Sequence, residues 1–239
     1  MKLSIIIPVY NEEGTIETLL KRVEKAKIPG VIKEIILVDD GSTDATHDSI
    51  EKFLSKKKNT YKFIKHKNNQ GKGAAVRTGI SEATGEYIVI QDADLEYDPN
   101  DIAKLLDPIK NGNAFIVFGT RLNRFPNFSR DENNPLFALH YLGNRFLSLV
   151  TSILYGQWVT DMETCYKVFP RSAVKKITLQ AKGFEFEPEI TSKLLKLGFK
   201  VKEISITTRP RDYSHGKKLN AFKEGPKALW TVIRYRLSS

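Results

Sequence analysis

The chain has one cysteine and four histidines among its 239 residues. A single thiol, Cys165, excludes an intrachain disulfide framework and any multi-cysteine zinc site, and it fits a reducing compartment. The histidines, at 47, 66, 140 and 215, have no ligand spacing, which leaves carboxylates as the candidate metal ligands. Long hydrophobic runs are missing too: no segment reaches the ~18 uninterrupted apolar residues that a bilayer span needs. The run at residues 3–9 is short, contains Pro8 and leads into acidic sequence, so it reads as a strand rather than a signal peptide. The expectation is a chain that is neither exported nor membrane-integrated. Internal repeats, low-complexity linkers, the glycine fingerprint of dinucleotide folds and the GK[ST] of a P-loop are all missing.

With 41% hydrophobic and 28% charged residues there is enough apolar material for a real core and too much for wholesale disorder. The length suits one large α/β domain with an appendage. The formal charge of +10 is unevenly placed. Residues 200–239 hold ten Lys or Arg against three acids, Glu203, Asp212 and Glu224, a local balance of +7. Such a tail beside a near-neutral body points to an anionic partner (nucleic acid, a phosphorylated ligand or a lipid surface) or to a merely solubilising surface.

Apolar, β-branched runs at 3–9, 34–38, 61–64, 87–90 and 114–118 read as strands covered on both faces. Helix-period stretches lie between them at 12–27, 44–55, 72–83 and 99–110, with Thr43 or Asp44 as a cap for the second and Pro99 in the first turn of the fourth. The alternation predicts a mostly parallel sheet with right-handed crossovers. Beyond it, 123–134 reads as a polar loop, 136–155 as a long apolar helix, and 160–170 as a return to the sheet. A helix at 187–197, a strand at 201–207, a polar loop at 209–219 and a helix from Gly225-Pro226 to about Leu237 complete the pattern.

Ligands bind such sheets outside the carboxyl ends of the strands. Pro8-Val9-Tyr10-Asn11-Glu12, Asp39-Asp40-Gly41-Ser42, Asp92-Ala93-Asp94-Leu95-Glu96 and Gly119-Thr120-Arg121 fall there. Asp92-Ala93-Asp94 is the sharpest signal. Two carboxylates one residue apart repel unless neutralised, and Mg²⁺ or Mn²⁺ does this while bridging to substrate phosphates. Glu96 adds an oxygen donor on the same turn. Asp39 and Asp40 are good turn residues, and at a strand end they are also candidates to accept hydrogen bonds from a nucleoside. Gly71-Lys72-Gly73 reads as a tight start to a helix, with Lys72 within reach of a phosphate.

These motifs, together with Val38, Thr43-Asp44 and Gly79, closely resemble family 2 glycosyltransferases of the nucleotide-diphospho-sugar transferase (GT-A) fold. Gly119-Thr120-Arg121, Thr160-Asp161-Met162-Glu163-Thr164-Cys165-Tyr166-Lys167 and the stretch 209–218 narrow the resemblance to dolichyl- or polyprenyl-phosphate hexose synthases, over nearly the whole chain. It implies a mostly parallel mixed sheet flanked by helices, a catalytic domain at 1–218 and a basic amphipathic helix at 219–239. It also implies an inverting, metal-dependent hexose transfer from a nucleotide sugar, GDP-mannose favoured over UDP-glucose, to dolichyl or polyprenyl phosphate. Pro8, Tyr10, Glu12, Val38 and Asp39 would line the nucleoside pocket. Lys72, Asp92, Ala93, Asp94, Arg121, Arg211 and Lys217 would complete the donor site. Asp92, Asp94 and Glu96 would hold Mg²⁺ or Mn²⁺, with Asp94, Arg121 and Arg211 closest to the chemistry, and Arg121, Arg145 and Lys218 would meet the acceptor phosphate.

A phosphate monoester has a second pKa of about 6 and is already largely ionised at neutral pH, so a lipid phosphate acceptor needs no catalytic base. Asp161, Glu185 and Glu187 are then expected to position loops and helices rather than move protons. A cytoplasmic protein on the membrane surface follows, held by the last helix, by 136–155 or by a small membrane-anchoring partner; the other expectation for both helices is packing on the domain. Competing readings are a family 2 enzyme acting on a sugar hydroxyl, a nucleotidyltransferase, a processive polysaccharide synthase and a basic nucleic-acid-binding module. The nucleotidyltransferase lacks its glycine-rich basic stretch after the first strand, and the synthase lacks Gln-x-x-Arg-Trp and its spanning helices. The nucleic-acid module leaves the acidic strand ends unexplained, so no nucleic acid is expected as partner.

Overall fold

A computed structural model of the chain describes residues 1–55, 57, 61–122, 135–209 and 221–238. The strands are β1 (Lys2–Val9), β2 (Ile32–Asp39), β3 (Tyr61–Lys65), β4 (Tyr87–Ile90), β5 (Ile116–Thr120), β6 (Lys167–Pro170) and β7 (Val201–Ser205). They form one seven-stranded sheet in the order β3-β2-β1-β4-β6-β5-β7. All pairings are parallel except those of β6, which runs antiparallel to both β4 and β5. The fold is the mostly parallel GT-A-type α/β sheet that the sequence implied.

The central strands are continuous apolar runs because helices cover both faces. Ile5, Ile6 and Ile7 of β1 and Ile36, Leu37 and Val38 of β2 are fully buried. The helices are α1 (Ile16–Lys25), α2 (Thr46–Leu54), α3 (Lys72–Glu82), α4 (Asp101–Lys110), α5 (Pro135–Tyr155), α6 (Arg171–Val174), α7 (Phe186–Lys196) and α8 (Ala221–Leu237). On the sheet, α3 packs against β1 and β2, and α4 against β5. At the other end α5, α7 and α8 enclose a second, smaller core of Leu147, Val159, Met162, Leu195, Ala228 and Val232.

Several boundaries differ from the sequence expectation for local reasons. The first helix begins at Ile16, not residue 12, because the Glu12 carbonyl accepts the Thr15 and Ile16 N–H groups in a turn. The last helix begins at Ala221 and contains Pro226 instead of starting there. Gly225 has no Cβ to clash with the proline ring, which removes part of the usual pre-proline penalty. Asp44 contacts the start of α2, its Oδ1 accepting the Thr46 N–H, while Thr43 turns to Asn11 instead. The short helix α6, of four residues, spans little more than one turn and leaves no helical period in the sequence.

β1 has β2 on one side and β4 on the other, so the chain winds away from it in both directions. The crevice at the carboxyl ends of β1 and β4 is the topological switch point, the place where open α/β sheets take ligands.

Candidate active site

The loops that follow β1 and β4 both contain a non-glycine residue at positive φ, Asn11 at 49° and Leu95 at 64°. Left-handed backbone is costly for a branched side chain such as leucine, and such strain concentrates at functional loops. Around Leu95 the chain folds tightly, and Asp94 Oδ1 accepts the Glu96 N–H at 3.0 Å. This turn brings Asp92, Asp94 and Glu96 to one side of the crevice. Asp94 is mostly buried, and burial together with the charges of Asp92 and Glu96 raises its pKa to about 7. Closely spaced carboxylates in a sheltered turn are what a hard divalent cation suits. Among the described residues no group of three His, Cys, Asp or Glu side chains converges as a ready-made metal cage. Glu96 therefore does not complete a preassembled triplet with Asp92 and Asp94. Mg²⁺ commonly takes one or two protein carboxylates and draws its remaining ligands from water and phosphate, and the Asp92–Asp94 pair fits that pattern.

Lys72, the first residue of α3, lies across from this turn with Nζ 2.7 Å from Asp92 Oδ1. The backbone before it is tied down by a group that sequence reasoning did not single out for this role. Asp40 accepts the Gln70 and Gly71 N–H groups at 3.0 and 2.7 Å and contacts His66 Nδ1 at 2.6 Å, while His66 Nε2 meets Thr78 Oγ1. Gly71 adopts φ +97°, and a Cβ there would run into the Lys182 carbonyl, so only glycine fits the start of α3. Asp40 is thus committed to the scaffold rather than to a nucleoside.

Asp39 ends β2 fully buried. Its Oδ1 accepts the Ser42 N–H at 2.9 Å, and Oδ2 lies 3.3 Å from His47 Nδ1 without hydrogen-bond geometry. Pro8 and Val38 are opposite one another in the β1–β2 register, both buried. Tyr10 and Glu12 are part-exposed on the loop after β1, with Glu12 accepting the Thr15 hydroxyl at 2.7 Å. Ala93 is buried beneath the acidic turn.

The opposite wall comes from β5. Arg121 grips Asp161 through its backbone N–H, Nε and Nη2 at 2.9, 2.7 and 2.8 Å. Burial alone would raise the Asp161 pKa, but the Arg121 charge and hydrogen bonds from Arg121 and Asn144 hold it below the usual carboxylate value. Arg121 remains 26% exposed at the crevice. Arg145 on α5 donates to the Leu122 carbonyl at 3.0 Å and lies over the Tyr141 ring, which places it beside the same strand end. Arg211, Lys217 and Lys218 lie outside the described residues. The last described residue before them, Arg209, donates its N–H to the Glu96 carbonyl at 2.9 Å. Tyr97 and Thr208 form a bridge next to it.

The three acids expected to position rather than react are all engaged. Asp161 holds Arg121, Glu185 accepts the Lys182 and Gly183 N–H groups, and Glu187 binds Lys167 Nζ at 2.6 Å. Cys165 is buried, its N–H on the Tyr97 hydroxyl. Nothing in the sequence spacing marks Glu163 for a role of its own. It has a buried oxygen without a hydrogen-bond partner, and burial, with the nearby Glu187 and Asp161 charges, pushes its pKa up to about 7 against the pull of Lys167 and Arg121.

Residues 4–178 match the family described as glycosyl transferase family 2. The chain belongs to this family and is a glycosyltransferase. Among its relatives, a UDP-N-acetylglucosamine–dolichyl-phosphate N-acetylglucosaminyltransferase of Methanococcus voltae is 32% identical over 232 residues, covering 90% of this chain and 89% of the relative. A dolichol-phosphate mannosyltransferase of Pyrococcus furiosus is 40% identical over 137 residues, 57% of this chain and only 37% of the relative. Among solved structures, glucosyl-3-phosphoglycerate synthase of Mycobacterium tuberculosis, in complex with Mn²⁺, UDP and phosphoglyceric acid, superposes with a TM-score of 0.73 at 17% identity, over 100% of this chain and 79% of that one. The likeness establishes a shared GT-A fold for this family 2 enzyme.

Proposed function

We propose that this glycosyltransferase moves a hexose, with inversion, from a nucleotide sugar to a dolichyl or polyprenyl phosphate, with GDP-mannose the favoured donor and UDP-glucose the alternative. The observation that carries the acceptor class is α5. Its inner side brings Asn144 to Asp161 and Arg145 to Leu122, at the wall of the crevice. On its outer side Leu142, Phe146, Leu149 and Ile153, spaced i, i+4, i+7 and i+11, are between 46% and 72% exposed, while Ser148, Thr151 and Ser152 are buried. A helix with its small polar residues inward and its large apolar residues outward joins a transfer site to a surface suited to lipid. Among the described residues no helix is long and apolar enough to cross a membrane, so the reading is contact with the bilayer surface. The two relatives described above both act, by name, on dolichyl phosphate.

In this mechanism Asp92 and Asp94, with Glu96 at the edge of the turn, hold Mg²⁺ or Mn²⁺. The ion, when bound, offsets charge on the donor diphosphate and on the departing nucleoside diphosphate. Pro8, Tyr10, Glu12, Val38 and Asp39 form the nucleoside end of the crevice. Arg121, fixed by Asp161, meets phosphate charge from the β5 side, joined by Arg211 and Lys217; Arg145 and Lys218 are assigned to the acceptor phosphate. An ionised phosphate attacks without surrendering a proton, so rate comes from alignment and charge stabilisation. The test is hexose transfer from GDP-mannose or UDP-glucose to a short polyprenyl phosphate in the presence of Mn²⁺, followed by mass spectrometry. Formation of the lipid-phosphate hexose is expected. Transfer only to a free sugar hydroxyl, with lipid phosphate untouched, would refute the acceptor class.

A further inference from the structure

Lys72 lies between two acids. Its Nζ is 2.7 Å from Asp92 Oδ1 and 3.7 Å from Glu187 Oε1, and all three side chains are at most 17% exposed. Glu187 is used on one side only: Oε2 accepts from Lys167 Nζ, whereas Oε1 is buried without a hydrogen-bond partner. Leaving a buried carboxylate oxygen unsatisfied is costly, so its persistence asks for an occupant. Lys167 cannot serve it, because its three donors already go to Met162 O, Thr164 O and Glu187 Oε2. Lys72 can. The backbone at the start of α3 is pinned by Asp40 and Gly71, and a lysine side chain reaches a second acceptor by rotating its terminal torsions.

We propose that Lys72 is an exchangeable counter-cation. It neutralises Asp92 until a divalent cation binds there, and its ammonium group then swings to Glu187 Oε1. The inference rests on the reading of Asp92 as a cation ligand. An ammonium group and a divalent ion sharing one carboxylate repel at short range, and a buried acid alongside gives the displaced charge a destination instead of stranding it. The exchange keeps Asp92 paired in the empty crevice and couples cation loading to a reorientation of the Lys72 side chain.

Mn²⁺ titration followed by electron paramagnetic resonance of the free ion, without nucleotide, reads the exchange directly. Lys72→Met removes the competitor, and Mn²⁺ should bind about fivefold tighter than to the wild type. Glu187→Gln removes the destination, and binding should weaken by a similar factor, yet Glu187→Gln added to Lys72→Met should have no further effect. A long-range electrostatic influence would instead persist in the double variant, and that result overturns the exchange. If Glu187→Gln fails to fold, the Lys72→Met arm decides alone: binding equal to or weaker than wild type overturns the proposal. Asp94→Asn separates the two levels. Mn²⁺ binding that Asp94→Asn abolishes but Lys72→Met leaves unchanged removes only the exchange. Failure of the wild type to bind Mn²⁺ removes the cation reading and the exchange with it.

Discussion

Individual side chains at this site are held by one another more than by solvent. Arg121 and Asp161 are the clearest case, a fork of hydrogen bonds closed over a fully buried carboxylate. Breaking a buried pair strands the surviving charge, so Asp161→Asn should lower stability to urea by about 3 kcal/mol, with donor affinity falling alongside because Arg121 loses its fixed position. Glu163 gives a pH signature. Its folded pKa of about 7 lies above that of an exposed glutamate, so the native state keeps a proton that the unfolded chain loses. Its effect on stability is nil below the unfolded pKa and becomes increasingly unfavourable as pH rises toward 7. Unfolding curves across that window should show Glu163→Gln gaining on the wild type with rising pH, by no more than about 3 kcal/mol.

Among the elements, α3 and α5 hold the largest part of the proposed site for their length. The first turn of α3 depends on Asp40, whose carboxylate accepts two backbone N–H groups and contacts His66. Asp40→Ala leaves these donors unsatisfied in a buried setting and should cost about 3 kcal/mol in thermal or urea unfolding, with Mn²⁺ binding disturbed because Lys72 follows directly. The outer stripe of α5 behaves in the opposite way. Leu149 and Ile153 are exposed, so Leu149→Glu with Ile153→Glu should change stability by less than about 0.5 kcal/mol. Flotation with anionic vesicles should nevertheless leave this variant in the soluble fraction while the wild type rises with the lipid. Equal flotation of both would remove α5 from the membrane-facing surface.

At the scale of the whole molecule, charge and topology act together. The chain carries a net +10, with Lys223, Lys227, Arg234 and Arg236 on α8 near an exposed Trp230. Attraction of such a surface to anionic lipid is screened by salt. Vesicle association should therefore fall steeply between about 0.05 and about 0.5 M salt, and binding indifferent to salt would rule out an electrostatic contribution. A donor bound only by the native state raises apparent stability by mass action. One nucleotide sugar should accordingly raise Tm in the presence of Mn²⁺ more than in its absence, and a panel of donors read this way identifies the base.

Much of this was legible in the residues themselves. Continuous apolar runs such as Ile5-Ile6-Ile7 read as strands covered on both faces, and Asp92-Ala93-Asp94 directly after such a run reads as a strand end. The order of the motifs was enough to identify the family. What the sequence could not express is which side chain meets which across the chain. Asp161 finds Arg121 forty positions away, Asp40 finds His66 and the Gly71 turn, and Lys72 finds both Asp92 and Glu187. α5 likewise reads as an apolar segment, and only packing decides that Ser148 and Ser152 turn inward while Phe146 and Ile153 face out. Periodicity and turn chemistry are local and leave a trace along the chain. Ion pairs and exposed faces are set by the distance between elements, and that distance exists only once the sheet has assembled.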